Sequence, residues 1–312
     1  MWFLEHREGG LAVKILNFGS LNIDYTYDVD HFVRGGETLS SKALNLFPGG
    51  KGLNQSIAAS RSGASVWHAG AVGKRDGDFL LKQLQDAGVN MDYVAKLDVS
   101  SGHAIIQRQP DGGNCILLFG GANQEITKEM ADEVLEQFDK GDFLLLQNEI
   151  NEVGYIMKRA AGKGMQIVLN PSPMDEKIEK LPLEMVDYFL LNEVEAESIC
   201  GGEGESTQSK AMMEKMAKRF PKAKIVLTLG AKGSLYWDGK KLFSQPCYKV
   251  KAVDTTAAGD TFTGFLIGGL CQGMEAEKAL DWASKAAAIA VSRAGAATSI
   301  PLKEEVDRFS EI

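Results

Sequence analysis

Short apolar runs alternate along most of the chain with longer segments whose apolar residues recur every three or four positions. The short runs predict β-strands, and the longer segments predict amphipathic helices. Because the strand runs are almost continuously apolar, we expect a mostly parallel sheet that helices cover on both faces. The predicted strands are Val13–Phe18, Ser65–Val72, Phe143–Gln147, Gln166–Leu169, Tyr188–Leu191 and Lys224–Thr228, followed by a hairpin of Leu235–Trp237 with Leu242–Ser244. The predicted helices are Leu53–Ser62, Phe79–Ala87, Lys128–Phe138, Asn151–Gly162, Val194–Ile199, Gln208–Phe220, Asp260–Cys271 and Glu275–Ser292.

Two segments, Tyr25–Phe47 and Gly102–Phe119, break this rhythm because polar and apolar residues alternate in them and turns interrupt them. Such alternation predicts β-structure rather than helix. We expect the two segments, inserted at about residues 22–47 and 102–119, to pair into a small separate sheet. Its open face and free edges would have to cover a ligand or meet another subunit. No Pro-, Gly- or Ser-rich linker divides the chain, so a single domain over residues 1–312 is predicted.

The composition is that of an ordinary globular protein, with 44% hydrophobic and 24% charged residues among 312. A net charge of −8 disfavours nucleic acid or an anionic membrane as a partner. Charged residues interrupt Met1–Leu11, and no run approaches the roughly 20 apolar residues that a membrane span needs. The four cysteines are widely separated, which predicts neither a zinc site nor a disulfide framework and favours a cytoplasmic location.

The strongest chemical signal lies between Asp254 and Gly264, which read DTTAAGDTFTG. The small residues Ala257, Ala258 and Gly259 would let a ligand approach the backbone where a helix begins. N–H groups at a helix N-terminus have no partner within the helix and attract anions. Asp260 could then take a proton from a hydroxyl while those N–H groups hold a phosphoryl group. The alternative is a simple helix start in which Asp260 complements the helix dipole.

Polar residues that could bind a polyol follow the first predicted strand. Asn22 and Asp24 are two positions apart, so in extended chain they point to the same side and could bind two hydroxyls. A plain turn is the alternative. Residues 48–54 read PGGKGLN, where Gly50 would let the backbone approach a ligand, Lys51 would offset phosphate charge and Asn54 would bind hydroxyls. This loop is not a Walker A motif, because positions 45 and 52 do not match. A structural glycine turn remains possible.

Further polar residues follow later strands, at the edge where open parallel sheets bind their ligands. Glu149 follows the third predicted strand, while Asn192 and Glu195 follow the fifth. These groups could orient a nucleotide phosphate and a water bound to Mg²⁺, which is usually held by phosphates and one or two carboxylates. A helix start with acidic residues is the alternative. Thr228 to Gly233 read TLGAKG and could receive a base or phosphates, although glycines are also common where a strand enters a hairpin.

In this order and at these separations, the motifs resemble the ribokinase family of sugar kinases, and the resemblance runs from about Val13 to the C-terminal end. It implies a ribokinase-like three-layer α/β/α sandwich with a small β-sheet lid that often forms a dimer contact. It further implies ATP-dependent phosphorylation of the O5 hydroxyl of D-ribose, with Mg²⁺ accompanying ATP, K⁺ as an activator, and a homodimer formed through the lid.

Carried over by residue, Asp260 resembles the general base, and the backbone of Ala257 to Gly259 resembles the anion hole for the transferred phosphoryl group. The positions that match sugar contacts are Asn22, Asp24, Gly50, Lys51, Asn54 and Glu149. Those that match nucleotide contacts are Asn192, Thr228, Gly230, Ala231, Lys232, Gly233, Gly259 and Ser284, with Glu195 near Mg²⁺ through water. Those that match a monovalent-cation site are Asp254, Thr256, Ala290, Arg293, Gly295 and Ser299.

Two positions depart from the family pattern. Phe265 stands where a small residue is more usual, a packing change that we expect to be neutral. His103 occupies a lid position that is commonly apolar, and a contact with the sugar is conceivable there. Asn22 favours a sugar with a 2-hydroxyl, because relatives that act on 2-deoxyribose tend to carry an apolar residue at that position.

The alternatives are another sugar or nucleoside kinase of the family, acting on deoxyribose, fructose or adenosine, and a non-catalytic sugar sensor. A dehydrogenase is disfavoured because no glycine fingerprint follows the first strand.

Overall fold

The computed structural model describes residues 12–201 and 209–310, so the N-terminal extension 1–11 lies outside the described residues. In this part of the chain the strands are β1 (Ile15–Phe18), β2 (Asn22–Asp28), β3 (Ala43–Gly49), β4 (Val66–Gly73), β5 (Asn90–Leu97), β6 (Gly102–Arg108), β7 (Asn114–Phe119), β8 (Phe143–Gln147), β9 (Gln166–Asn170), β10 (Tyr188–Asn192), β11 (Lys224–Thr228), β12 (Ser234–Trp237) and β13 (Leu242–Gln245). The helices are α1 (Lys51–Arg61), α2 (Asp78–Asp86), α3 (Lys128–Leu135), α4 (Val153–Lys163), α5 (Glu193–Cys200), α6 (Ser209–Arg219), α7 (Ala258–Cys271), α8 (Ala276–Val291) and α9 (Lys303–Asp307).

The larger sheet of the described residues has the strand order β13-β12-β11-β10-β9-β8-β1-β4-β5. The strands β11, β10, β9, β8, β1, β4 and β5 of this sheet run parallel to one another. The hairpin of β12 and β13 adds two antiparallel strands at one edge. Buried strand residues alternate between two apolar layers: Leu16 and Phe18 face one layer, and Ile15 faces the other. Helices α3 to α6 contribute to the first layer, while α1, α2, α7 and α8 contribute to the second. The predicted helix-covered, mostly parallel sheet is therefore confirmed.

A second sheet has the order β3-β2-β6-β7, and both segments that broke the helical rhythm contribute to it. Strand β2 pairs in parallel with β6, and the two outer pairs are antiparallel. The prediction of a small separate sheet is confirmed. Because only three residues separate the end of β1 from the start of β2, this sheet starts directly at the carboxyl edge of the larger one.

Strand β5 was missed by the sequence analysis. Its residues, NMDYVAKL, lack a continuous apolar run because β5 is an edge strand whose side chains are mostly half-buried. Three helix starts also differ from the expectation by two residues, and the first is α1, which begins at Lys51 rather than Leu53. Helix α4 begins at Val153 rather than Asn151, because Glu152 adopts a left-handed conformation with φ 58°, and α7 begins two residues before the predicted Asp260. Within residues 12–201 and 209–310, no helix has the length and apolarity that crossing a membrane requires.

Candidate active site

The N-terminus of α1 is joined to the ends of β1 and β8. Gly50 caps the helix with φ 93°, a left-handed conformation that glycine adopts without strain. The backbone N–H of Lys51 donates to Glu149 Oε2 at 2.9 Å, and the Ser20 hydroxyl donates to the same oxygen. The N–H of Gly52 donates to Ser20 Oγ at 3.2 Å. These bonds fix the glycine-rich loop beside the Glu149 carboxylate.

Asn22 and Asp24 occupy the first and third positions of β2, so their side chains share one face of the small sheet. Asn123 donates from Nδ2 to Asn22 Oδ1 at 2.7 Å, which leaves the Asn22 amide nitrogen to act as a donor elsewhere. The Asp24 carboxyl lies against Gly49, where any Cβ would collide with it. Burial, and then the nearby Glu149 carboxylate, raise the pKa of Asp24 to about 7.

Lys51 lies among three carboxylates that the sequence places far apart. Burial opposes the charge on its ammonium group, but Asp260, Glu149 and Glu195 outweigh that effect and raise the pKa of Lys51. The cation therefore remains charged at neutral pH. Its positive charge thus offsets the negative charges of Glu149, Asp260 and Glu195.

Asp260 is 8% exposed and is held in place by two amides of α1. Asn54 Nδ2 donates to its Oδ2 at 3.0 Å, and Gln55 Nε2 donates to its Oδ1 at 2.9 Å. In the described part of the chain, the buried Asn54 Oδ1 has no hydrogen-bond partner. A buried acceptor of this kind normally has a donor, so Asn54 is placed to accept from a ligand hydroxyl.

The turn before Asp260 has a special backbone. Ala257 caps α7 with φ 60°, a left-handed conformation that is uncommon for alanine. The Ala258 N–H makes a 3.3 Å bond to Thr255 O, and Thr261 N donates to Ala257 O at 2.8 Å. A Cβ on Gly259 would meet no atom within 4 Å. The first turn of α7 thus presents backbone N–H groups beside open space and next to the carboxylate.

Asn192 and Glu195 form a capping box at the start of α5. Asn192 Oδ1 accepts from Glu195 N at 2.9 Å, and Glu195 Oε2 accepts from Asn192 N at 3.0 Å. The helix-start interpretation of these residues is therefore correct, yet Asn192 Nδ2 and Glu195 Oε1 lie outside the box. One carboxylate oxygen suits Mg²⁺ that is bound mainly by phosphates and water. In residues 12–201 and 209–310, no group of three or more His, Cys, Asp or Glu could hold a metal by itself.

The loop after β11 is exposed, and its glycines would allow a ligand to approach the backbone closely. It forms a 3₁₀ turn over Gly230–Lys232, which contains Ala231, and Gly230 and Gly233 have φ of 56° and 94°. The Thr228 hydroxyl makes a 3.4 Å bond to Leu191 O, linking this loop to the end of β10. Ser284 is not hydrogen-bonded to this loop, because its hydroxyl donates to Leu280 O within α8.

The residues that match a monovalent-cation site lie in two segments, the loop that contains Asp254 and Thr256 and the stretch from the end of α8 to Ser299. Asp254 links the two segments. Its carboxylate accepts from Thr256 N at 2.9 Å and from Gly295 N at 3.0 Å. Burial opposes ionisation, but these bonds outweigh it and lower the pKa of Asp254. The Ala290 carbonyl accepts from Arg293 N, and the buried Ser299 hydroxyl donates to Ala296 O. Asp254 therefore supplies an ionised carboxylate that links the two segments, and a carboxylate oxygen is a ligand that a monovalent cation can take.

Three residues of the site escaped the sequence analysis: Ser20, Gln55 and Asn123. Each acts by a hydrogen bond to a predicted site residue: Ser20 to Glu149, Gln55 to Asp260 and Asn123 to Asn22. Ser20 and Gln55 are close in sequence to the predicted residues Asn22 and Asn54, whereas no motif points to Asn123. The suggested contact of His103 with the sugar is not supported, because His103 pairs in register with Ile23 and therefore points to the face opposite Asp24. There its ring contacts Tyr25 and Phe119.

Comparison with known proteins identifies the family of this chain. Residues 13–303 match the pfkB family of carbohydrate kinases. The chain belongs to that family. As a member of that family it is an ATP-dependent sugar kinase. The polar residues described above lie at the carboxyl edge of its larger sheet.

One relative and two solved structures illustrate what this pfkB-family member is similar to. A ribokinase from Bacillus subtilis is 34% identical over 302 residues, covering 95% of this chain and 99% of the relative. The structure of a ribokinase from Thermotoga maritima has a TM-score of 0.83 at 34% identity, covering 95% of this chain and 98% of that one. An Arabidopsis thaliana ribokinase solved with ribose and ATP has a TM-score of 0.83 at 27% identity, with coverage of 96% and 100%.

Proposed function

We propose that this protein is an ATP-dependent ribokinase, which phosphorylates the O5 hydroxyl of D-ribose to give ribose 5-phosphate and ADP. The observation that carries the proposal is the pairing of Asp260 with Asn54. The Asp260 carboxylate lies at the start of a helix, while Asn54 presents an unpaired buried acceptor beside it. A hydroxyl that donates to Asp260 would face the first N–H groups of α7, and Asn54 Oδ1 would accept from a second donor of the ligand.

Each residue then has a defined task. Asn22 donates from its amide nitrogen and Asp24 accepts, so together they bind two neighbouring hydroxyls of the sugar. Gly50, Lys51, Asn54 and Glu149 complete the sugar contacts. Asp260 removes the proton of the O5 hydroxyl, and the backbone of Ala257, Ala258 and Gly259 stabilises charge on the moving phosphoryl group. In phosphoryl transfer, such positioning and charge stabilisation provide most of the catalysis.

The nucleotide would lie over the ends of β10 and β11. We assign its contacts to Asn192, Thr228 and the turn of Gly230, Ala231, Lys232 and Gly233, and we include Gly259 and Ser284 on the basis of the family resemblance. Glu195 would hold Mg²⁺ through water, and that ion neutralises charge on the phosphates of ATP. Asp254, Thr256, Ala290, Arg293, Gly295 and Ser299 would hold K⁺, which orders the anion-hole turn. Because ATP is a substrate and none of the four cysteines forms a disulfide bond, we propose a cytoplasmic enzyme.

The proposal is tested by measuring ADP release with ATP and a panel of ribose, 2-deoxyribose, fructose and adenosine, each with and without K⁺. We expect ribose to give the highest kcat/KM and K⁺ to raise it. A preference for one of the other acceptors would replace ribose as the substrate, and no ADP release with any of them would favour a sugar sensor.

The affinity for ribose is expected to depend on pH through Asp24. Because the pKa of Asp24 is raised to about 7, its carboxylate becomes protonated below neutrality and loses its charge. If the sugar binds to the carboxylate form, the Kd for ribose rises by about tenfold per pH unit below pH 7. Calorimetric titration with ribose between pH 8 and pH 5.5 measures this slope.

The matched control for that titration is Asp24→Asn, which should bind ribose weakly and with little change over the same range. A wild-type Kd that stays constant down to pH 5.5 would contradict the role of Asp24. The raised pKa also affects folding: the folded state holds the proton more tightly than the unfolded chain does. The contribution of Asp24 to stability is therefore largest below about pH 4 and is lost as pH rises through 7.

We further propose that the whole chain forms one kinase domain, with β2, β3, β6 and β7 as a lid that also forms a homodimer contact. On the lid face opposite Asp24, five large apolar side chains are at least 36% exposed: Leu44, Leu46, Ile105, Leu117 and Phe119. An apolar face of this kind on an open sheet requires a cover. A second copy of the same sheet supplies an equally apolar surface.

Leu117→Glu is expected to convert the dimer into a monomer. Leu117 is 66% exposed, so the substitution costs the isolated subunit little, whereas a buried carboxylate at the contact is strongly unfavourable. Light scattering should show a mass falling from twice 33.8 kDa to 33.8 kDa. Leu302→Glu, at a 52% exposed position before α9, is the control that should leave the dimer intact. A wild-type monomer, or an unchanged mass for Leu117→Glu, would contradict this contact.

A further inference from the structure

A chain of buried polar side chains leads from Asp260 into the layer between the larger sheet and α1. Each of its members is at most 1% exposed, although apolar side chains form the core of this layer. The members, in order from Asp260, are Gln55, Gln147, Asn17, Ser56 and His68. Buried polar groups are costly unless they are hydrogen-bonded, so a chain of five in one layer calls for an explanation.

The far end of the chain fixes the direction of its hydrogen bonds. His68 Nε2 lies 3.2 Å from Gly19 O, a carbonyl oxygen that can only accept, so Nε2 carries the proton. Burial lowers the pKa of His68 to about 4, so the ring is neutral and its Nδ1 accepts. The Ser56 hydroxyl, 2.8 Å from Nδ1, must then donate to it.

A second carbonyl fixes the amides. Asn17 Nδ2 donates to Gly52 O at 2.8 Å, so Asn17 Oδ1 is the acceptor for Gln147 Nε2 at 3.0 Å. The Gln147 nitrogen also lies 2.7 Å from Gln55 Oε1. The amide of Gln55 therefore cannot adopt the flipped orientation, because its Oε1 must accept from Gln147 Nε2. Its nitrogen must face Asp260 Oδ1.

Gln55 and Asn54 hold the two oxygens of Asp260 in different ways. Asn54 faces the region assigned to the sugar, whereas Gln55 is fully buried and cannot touch a substrate. We propose that Gln55 is a positioning residue: it fixes the plane of the Asp260 carboxylate, and Gln147 and Asn17 fix Gln55. This inference rests on the proposed role of Asp260 as the base.

The test is Gln55→Met, which keeps the length of the side chain but cannot donate. We expect kcat to fall by about 10- to 100-fold, because small displacements of a catalytic group cost that much. The Kd for ribose should change by less than about threefold, because Gln55 makes no contact with substrate. Gln55→Asn is the second variant: it keeps the amide and its polarity, but it is too short to bridge Asp260 and Gln147, so kcat should also fall.

A double-mutant cycle separates this role from a purely structural one. In an Asp260→Asn background, Gln55→Met should lower kcat no further, because the group that it positions is already gone. Additive losses, or a loss confined to ribose affinity, would overturn the inference while leaving Asp260 as the base. If Asp260→Asn alone keeps its turnover, the proposed function of Asp260 fails instead. The two failures are therefore distinguishable.

Discussion

Asp260→Asn is expected to lower kcat by about 10²- to 10⁴-fold while ribose binding is largely kept. The substitution preserves the size of the side chain but removes the carboxylate that would accept the O5 proton. Asn54 and Gln55 both donate to Asp260, so the new amide can satisfy only one of them with its oxygen. Steady-state ADP release gives kcat, and calorimetric titration with ribose gives the Kd.

Asp132→Asn serves as the matched control for this prediction. Asp132 on α3 also accepts two side-chain hydrogen bonds, from Tyr155 and Arg159, but it belongs to none of the motifs assigned to the site. Its replacement should leave kcat unchanged. Near-normal turnover in Asp260→Asn would remove the assignment of Asp260 as general base, and equal losses in both variants would point to a general effect on folding.

Gly52→Ala is expected to destabilise the fold and to abolish ribose binding. A Cβ at this position would lie 2.6 Å from the Gly19 carbonyl carbon and the Ser20 carbonyl oxygen, and closer still to the Ser20 nitrogen. These are backbone atoms, so the loop after β1 or the start of α1 must move. Overpacking of this kind costs about 1–3 kcal/mol or more. Thermal unfolding measures the loss of stability, and titration with ribose measures the loss of binding.

Gly162→Ala provides a control with the same chemical change in another helix. Gly162 is exposed on α4, and a Cβ there would meet no atom within 4 Å. Because alanine favours helix over glycine, this variant should be more stable than wild type by up to about 1 kcal/mol. If Gly52→Ala melts at the wild-type temperature and binds ribose normally, the close approach of α1 to the β1 loop is not required.

The sequence predicted those parts of the fold whose signal is local. The apolar run of Phe143–Gln147 identifies β8 by itself, and the two-residue separation of Asn22 and Asp24 correctly places both on one face of β2. The edge strand β5 was missed because it is half-buried and therefore lacks that signal. Where burial is partial, apolar patterning no longer distinguishes a strand from a loop.

The site shows the same limit at the level of single contacts. Asn123 bonds to Asn22 across 101 residues, and Gln55 bonds to Asp260 across 205. No pattern within a window of sequence can report such pairs, because the fold alone brings them together. His103 shows the reverse error: its position in the lid segment was right, but only the strand register reveals which face its ring occupies.

The left-handed backbone of Ala257 has a consequence for the entropy of binding. An alanine in this conformation costs roughly 1–2 kcal/mol relative to a right-handed one, whereas a glycine would adopt it freely. Alanine also has fewer backbone conformations available than glycine. Once the protein has folded, the turn therefore has few backbone conformations other than its native one. With K⁺ bound as proposed, little of this segment is then left for an arriving anion to order. The left-handed alanine thus lowers the folding stability of the free protein and reduces the entropic cost of binding the ligand.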